Sequence, residues 1–283
     1  MQQNISCTPE SPQGLTCLLS VYAKDDPTHL AQAIDSVLHQ TRLPDELVIV
    51  EDGPLSSELR KVLDNYKNRI STVSVSLQSN VGLGLALAEA FDMCSFDLIA
   101  RMDADDIARP ERFKLQERYM RSHPEVILLG GRIEEFKNQP GDLGRFRYAL
   151  ITDTDIRQRA RTRNPFSHMT VIFRKQTVKA AGGYRHNPGF EDYDLWLRML
   201  QQPGQVMNLN DVLVDVRVGN GMSSRRRGWA YVKAEMSFLM SCCRQGLISR
   251  LDMLKSAAVR IPARLVPAIV LEIVYERLLR QRK

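Results

Sequence analysis

The sequence predicts an α/β protein: a mostly parallel sheet flanked by helices, followed by a C-terminal helical extension. Three observations carry that expectation. Short apolar runs alternate with amphipathic helical patterns through the first half, as repeated strand–helix–strand units require. The runs read as buried strands, the pattern of a parallel sheet covered on both faces. Two of them end in carboxylates, Glu51-Asp52 and Asp103-Ala104-Asp105-Asp106, at the edge where such sheets bind ligands.

Leu15-Thr16-Cys17-Leu18-Leu19-Ser20-Val21-Tyr22 is the first strand. Asp26 then supplies an N-cap and Pro27 a first helical residue, and Leu30, Ile34, Val37, Leu38 and Thr41 follow at helical spacing. Leu47-Val48-Ile49-Val50 is a second strand, closed by Glu51-Asp52-Gly53. A polar helix over about Ser56 to Tyr66 precedes an alternating strand from Thr72 to Leu77. Asn80-Val81-Gly82-Leu83-Gly84 opens an Ala- and Leu-rich helix through Met93, and the strand Asp97 to Met102 delivers the chain to the acidic cluster. Another strand runs from Glu125 to Ile133. After a loop at Gln139 to Gly144, short strands and helices surround Asn164-Pro165-Phe166-Ser167-His168 and Gly182-Gly183-Tyr184. Glu191-Asp192 starts a helix with acids in its first turn and apolar residues on one face. Beyond Gly228 the reading is helix.

The 283 residues suit one large α/β domain, or one domain with an appendage, and 43% hydrophobic with 25% charged residues is ordinary for a globular chain. No stretch reads as a linker, a low-complexity tract or an internal repeat. Five cysteines without a Cys-x-x-Cys pair argue against a disulfide framework and a zinc site, and for a reducing compartment. The polar start, Met1 to Gly14, lacks the apolar core of a signal peptide, and no window reaches the roughly 18 apolar residues of a membrane span. The expected location is therefore cytoplasmic. The net charge of +6 is uneven, with Arg225-Arg226-Arg227 and the tail Arg277, Arg280, Arg282 and Lys283 crowding the last third. Such an excess suits nucleic acid, an anionic membrane or a phosphorylated substrate.

Asp103, Asp105 and Asp106 lie within four residues of one another. Grouped like charges call for a compensating cation, and Asp-x-Asp at a strand end suits a hard divalent metal held against a diphosphate. A solvated acidic turn is the competing reading.

The ordered set of segments is more specific than any one of them. Ser20-Val21-Tyr22, Ser36-Val37-Leu38-His39-Gln40-Thr41, Val48-Ile49-Val50-Glu51-Asp52-Gly53, Asn80-Val81-Gly82-Leu83, Asp103-Ala104-Asp105-Asp106 and Glu191-Asp192 together resemble the family 2 glycosyltransferases of the GT-A fold, over roughly Leu15 to Arg227. The run Ala100 to Phe113 further resembles the branch that builds bacterial surface polysaccharides (O-antigen, capsule, exopolysaccharide) on lipid carriers. The resemblance implies a nucleotide-sugar half at about 15–133 and an acceptor half at about 134–227. Residues 1–14 would precede this domain, extended or disordered, and a basic amphipathic helical region would occupy 228–283.

It also implies roles. Asp52 matches the position that accepts a hydrogen bond from the donor's base, with Glu51 beside it and backbone groups of Ser20, Val21 and Tyr22 nearby. Asn80 and Gly82 would let a loop approach the donor. Asp103 and Asp105 match the ribose- and metal-contacting carboxylates, for Mn2+ or Mg2+, with Asp106 orienting the loop. Asp192 is the expected catalytic base of an inverting transfer, with Glu191 as the alternative. Arg225 and Arg226 sit where a mobile loop would meet diphosphate oxygens. Trp196 either stacks on an acceptor sugar or belongs to the core, and His168 is either a site residue or structural.

The expected partners are a nucleotide-diphosphate sugar, most readily UDP-linked, and a glycan or polyprenyl-diphosphate-linked acceptor, with no nucleic acid. The segment Ile261 to Leu279 suits either the inner membrane face or packing against the domain or a second subunit, as in a homodimer. Two other classes compete. A sugar-phosphate nucleotidyltransferase would need a Gly-rich loop with Arg and Lys after the first strand, which Leu18 to Asp26 lacks. A basic membrane- or nucleic-acid-binding module would leave Asp103, Asp105 and Asp192 without work.

Overall fold

A computed structural model of the chain describes residues 12–219, 227–265 and 280–282. Strands β1 (Leu15–Tyr22), β2 (Glu46–Asp52), β3 (Thr72–Ser76) and β4 (Leu98–Met102) lie parallel in the order β3-β2-β1-β4. Helices α1 (Pro27–Leu38), α2 (Ser57–Tyr66) and α3 (Leu83–Met93) make the crossovers. Their starts follow the sequence signals. Asp26 accepts from the backbone N–H of Thr28 and His29 at 2.8 and 3.1 Å, and Ser56 caps α2 through Leu59 N at 3.3 Å.

The central strands are covered on both sides. Leu18, Val48 and Val50 enter one core with α3, while Cys17, Leu19, Leu47 and Ile49 enter a second core with Ile34, Val37 and Leu63 of α1 and α2. At the edge, β3 is only half-buried.

After β4 come β5 (Ile107–Ala108), α4 (Arg112–Ser122), β6 (Val126–Phe136), β7 (Arg145–Arg147) and α5 (Asp153–Ala160). A 3-10 turn (His168–Thr170) leads into β8 (Ile172–Arg174), α6 (Lys175–Ala180), α7 (Glu191–Met199) and β9 (Gln205–Arg217). β8 inserts antiparallel between β4 and β6, and β9 runs parallel to β6. The end of β9 also pairs with β5, Ile107 opposite Asp215. The acidic loop is therefore clamped at both ends, by β4 before it and by β5 on β9 after it.

Two helices follow, α8 (Gly228–Arg244) and α9 (Arg250–Leu265). They pack on the start of α7, where Phe190 stacks on Phe238 with ring centroids 4.7 Å apart. Glu235 is fully buried and pairs with Arg260 at 2.6 Å and Arg264 at 2.9 Å. Arg260 also lies over the rings of Phe190 and Tyr193, and Arg264 over Tyr231. These two arginines thus face the protein, whereas an amphipathic surface helix would turn them outward. Continuous helix to the terminus is also corrected: β10 (Arg280–Arg282) pairs antiparallel with β7, whose edge offers unpaired backbone groups. Most of the segment Ile261 to Leu279 lies outside the described residues. Among the described residues no helix is long and apolar enough to cross a membrane.

Candidate active site

The parallel strands bring their carboxyl ends to one edge. In register, Val21 of β1 sits opposite Glu51 and Tyr22 opposite Asp52. Val21 is buried, so only its backbone is offered to a ligand, while Ser20 and Tyr22 are half-buried. Tyr22 N donates to Asp25 Oδ2 at 2.8 Å and so closes the turn after β1.

Asp52 is committed to the loop before α3. Its carboxylate accepts from Asn80 Nδ2 at 2.9 Å, Val81 N at 2.7 Å and Gly82 N at 3.1 Å. Asn80 Nδ2 also reaches the Asp52 carbonyl at 3.2 Å. Gly53 makes this approach feasible: at φ +88°, a Cβ there would lie 2.6 Å from Asn80 N. The neighbouring Glu51 is also buried, but its Oε2 has no hydrogen-bond partner among the described residues and forms an ion pair with the Arg60 guanidinium at 3.0 Å. Glu51 therefore keeps acceptor capacity at the strand end that Asp52 has spent on the loop.

At the end of β4, carboxylate oxygens of Asp103, Asp105 and Asp106 lie within 4.8 Å of one another. Asp106 is buried; its Oδ1 accepts from Arg217 N at 2.9 Å and its Oδ2 has no partner. Burial, and then the charge of Asp105, push its carboxyl up to about 8. Arg217 fixes the loop from three sides, donating through Nε to the Asp105 carbonyl at 3.1 Å and through Nη2 to Gln32 at 2.6 Å. Its guanidinium lies 4.5 Å from the Phe136 ring centre. Asp103 forms an ion pair with Arg101. An all-oxygen donor set with one unpartnered buried carboxylate oxygen fits a hard divalent cation such as Mg2+ or Mn2+.

The second acidic group opens α7. Asp192 accepts from Asn164 Nδ2 and from Tyr193 N, each at 2.7 Å. Burial and the adjacent Asp192 push the Glu191 carboxyl up to about 7, against the pull of Arg101. A Cβ on Gly84 would lie 2.9 Å from Glu191 Cβ, so this glycine lets α3 approach the acidic pair.

Two other expected site residues lie deeper. Trp196 is fully buried, edge-on to Phe166 at 5.9 Å, so it serves the core and offers no face to a sugar. His168 is buried under Trp196 with Nε2 2.9 Å from Tyr184 Oη. Burial and the charge of Arg101 hold its imidazole well below the usual range, hence neutral. Arg225 and Arg226 lie outside the described residues.

The sequence reading missed the buried cations. Arg101 is the penultimate residue of β4 and is 1% exposed. Arg112, also buried, donates through Nη2 to the Arg101 carbonyl at 2.7 Å and through Nε to Gln116 at 3.1 Å. Gln116 in turn reaches the Thr170 carbonyl at 2.8 Å, which ties α4 to the turn before β8. The available signal was an arginine inside the apolar run Leu98-Ile99-Ala100-Arg101-Met102, because a charge in a doubly covered strand demands a partner.

The family described as Glycosyl transferase family 2 matches residues 18–180. The amylovoran biosynthesis glycosyltransferase AmsE of Erwinia amylovora is 41% identical over 264 residues, 92% of this chain and 97% of that protein. The UDP-Gal:alpha-D-GlcNAc-diphosphoundecaprenol beta-1,3-galactosyltransferase of Escherichia coli is 33% identical over 264 residues, 93% and 96% of the two chains. Among solved structures, S. aureus TarS 1-349 in complex with UDP-GlcNAc superposes with a TM-score of 0.62 at 15% identity, over 81% of this chain and 66% of that one. The mannosyltransferase PcManGT of Pyrobaculum calidifontis, solved with GDP-Man and Mn2+, gives 0.60 at 13% identity, over 94% and 80%. At those identities the structures establish the fold, GT-A. The chain belongs to glycosyltransferase family 2 and is a glycosyltransferase.

Proposed function

We propose that this glycosyltransferase is inverting and metal-dependent, and moves a sugar from a UDP-linked donor to a polyprenyl-diphosphate-linked acceptor in surface-polysaccharide assembly. The observation that carries this reading is the meeting of three carboxylates within 4.8 Å at the end of β4, at the sheet edge that also holds Glu51 and Asp52. Family membership removes the nucleotidyltransferase and non-enzymatic readings.

In this proposal Glu51 and Asp52 frame the base, with Glu51 the more available acceptor and Asp52 holding the Asn80–Gly82 loop. Backbone groups of Ser20 to Tyr22 border the same subsite. Asp105 and Asp103 hold Mn2+ or Mg2+, whose chemistry is Lewis-acid neutralisation of the leaving diphosphate. Asp106 and Arg217 keep that loop in place. Asp192 takes the proton of the acceptor hydroxyl at a carboxylate oxygen while the hydroxyl oxygen attacks the anomeric carbon opposite the diphosphate, and Glu191 is the alternative base. Arg225 and Arg226 are proposed to meet the diphosphate.

The UDP donor is supported by the names of the E. coli relative and the TarS complex, and the lipid-linked acceptor by the former alone. Peripheral contact with the cytoplasmic membrane face is part of the proposal. Its support is that five of the ten exposed large apolar side chains among the described residues lie on α8 and α9.

A donor screen tests the reading. The protein is given UDP-glucose, UDP-galactose, their N-acetylated forms and GDP-mannose, with a polyprenyl-diphosphate-linked GlcNAc acceptor. The expected result is turnover of a UDP-sugar that EDTA abolishes and Mn2+ restores, with anomeric inversion in the product. Turnover of GDP-mannose alone, retention, or full activity in EDTA overturns it.

A further inference from the structure

Arg101 is a cation built into the acidic end of β4. Its flanking residues Ile99, Ala100 and Met102 are fully buried, and it is 1% exposed itself. Arg112 pins its backbone from below through the Arg101 carbonyl. Its guanidinium is paired with Asp103, and its Nε has no hydrogen-bond partner. Burial works against its charge, while Tyr184, Asp106, Glu191 and Asp105 favour it, besides the paired Asp103, and the Arg112 cation lies on its other side. His168 and Tyr184 are bonded to each other and are held neutral by burial. A guanidinium stays charged in proteins, so this side chain is a permanent positive charge among the carboxylates.

We infer that Arg101 is the resident counter-cation of the metal site: it holds Asp103 and weakens Mn2+ or Mg2+ binding to the nucleotide-free protein, so that tight metal binding requires the donor diphosphate. The inference rests on the metal dependence proposed above. A divalent ion entering the cluster meets a like charge already paired with one of its ligands. A donor diphosphate brings negative charge that offsets Arg101, and by linkage the metal then strengthens donor binding by the same factor.

The test is a Mn2+ titration of the full chain followed by electron paramagnetic resonance, with and without UDP. In the wild type, UDP is expected to tighten Mn2+ binding. In Arg101→Met, nucleotide-free affinity is expected to rise about tenfold and the gain from UDP to shrink in proportion. A purely structural role for Arg101 cannot produce tighter binding. Asp103→Asn supplies a second test that leaves the buried arginine in place. With its counter-charge gone, Arg101 opposes the ion directly, so nucleotide-free Mn2+ affinity in this variant is expected to fall about tenfold and UDP to recover more of it than in the wild type. Unchanged or weaker nucleotide-free affinity in folded Arg101→Met overturns the inference, as does undiminished affinity in Asp103→Asn. Absence of Mn2+ binding to the wild type even with UDP overturns the metal reading and the inference with it.

Discussion

Asn164 donates its Nδ2 to Asp192 Oδ2 at 2.7 Å, and so joins the loop after α5 to the first turn of α7. The bond fixes the carboxylate beside Glu191, whose own carboxyl is pushed up to about 7. Replacing Asn164 with Leu is expected to lower kcat ten- to a hundredfold, roughly the scale of a misplaced catalytic group. Donor KM should stay within about twofold, because Asn164 bonds the proposed base and none of the proposed donor-binding residues. A larger change in donor KM than in kcat would count against the assignment.

The same pair sets the pH dependence. A base works deprotonated, so if Glu191 is the base turnover should rise as pH increases through about 7 and then level off. The two carboxylates interact, so the apparent value belongs to the pair. Removing the Asp192 charge lowers the Glu191 pKa. If Glu191 is the base, Asp192→Asn stays active and its acidic limb moves to lower pH. If Asp192 is the base, that variant loses activity at every pH with donor binding intact. A profile flat from pH 5 to 8 in the wild type would exclude Glu191 as the base.

Asp52 and Glu51 separate in a different experiment. Asp52→Ala strands three donors that now share one buried carboxylate, which predicts a loss of about 2–4 kcal/mol by chemical denaturation and a higher donor KM. Glu51→Gln removes charge and one acceptor oxygen without touching the Asn80 loop. It should raise the KM for UDP-sugar with the smaller loss of stability. The reverse ranking would assign the base to Asp52.

The parts of the fold written in local chemistry were legible. Asp26 and Pro27 announce α1, and the apolar runs of β1, β2 and β4 announce parallel strands because each is covered on both faces. The carboxylates at 51–52 and 103–106 could be read as lying at one edge because the alternating pattern sends strand ends there, whereas Glu191-Asp192, at a helix start, joined them only through the family resemblance. What was not legible depends on distant partners. Nothing near Trp196 in sequence says that Phe166 and His168 cover it. Arg260 and Arg264 read as a basic stripe until Glu235, 25 and 29 residues earlier, is seen buried between them. Arg101 differs: its partner Asp103 is two residues away, and an arginine inside an apolar strand was the signal, while Glu191 is the acid around it that only the fold brings near.

Glu235 gives the C-terminal helices a sharp test. It is fully buried against two arginines, and those arginines lie on Phe190, Tyr193 and Tyr231. Glu235→Gln leaves the cations without a counter-charge and should destabilise the protein by about 3–5 kcal/mol. Because Phe190 immediately precedes Glu191, kcat should fall as well, with the α8–α9 pair loosened from α7. Normal stability in this variant would mean that the pair contributes nothing to the folded state.

The outward side of those helices is of opposite character. Leu251 and Leu254 are 60% exposed, Val259 74% and Trp229 67%. The cations Lys233, Arg244, Arg250 and Lys255 are exposed on the same two helices, while of the acids Glu235 is turned inward and Asp252 is half-buried and bonded to Ser249. Apolar side chains interleaved with cations suit an anionic lipid surface, and a lipid-linked acceptor requires approach to one. Leu251→Asp combined with Leu254→Asp should therefore abolish co-sedimentation with phosphatidylglycerol vesicles. Transfer to a short-chain, water-soluble acceptor should be unchanged, because neither leucine belongs to the site. Undiminished vesicle binding would remove this face from the membrane contact. Loss of a dimer by light scattering, without loss of vesicle binding, would assign the face to a second copy of the chain instead.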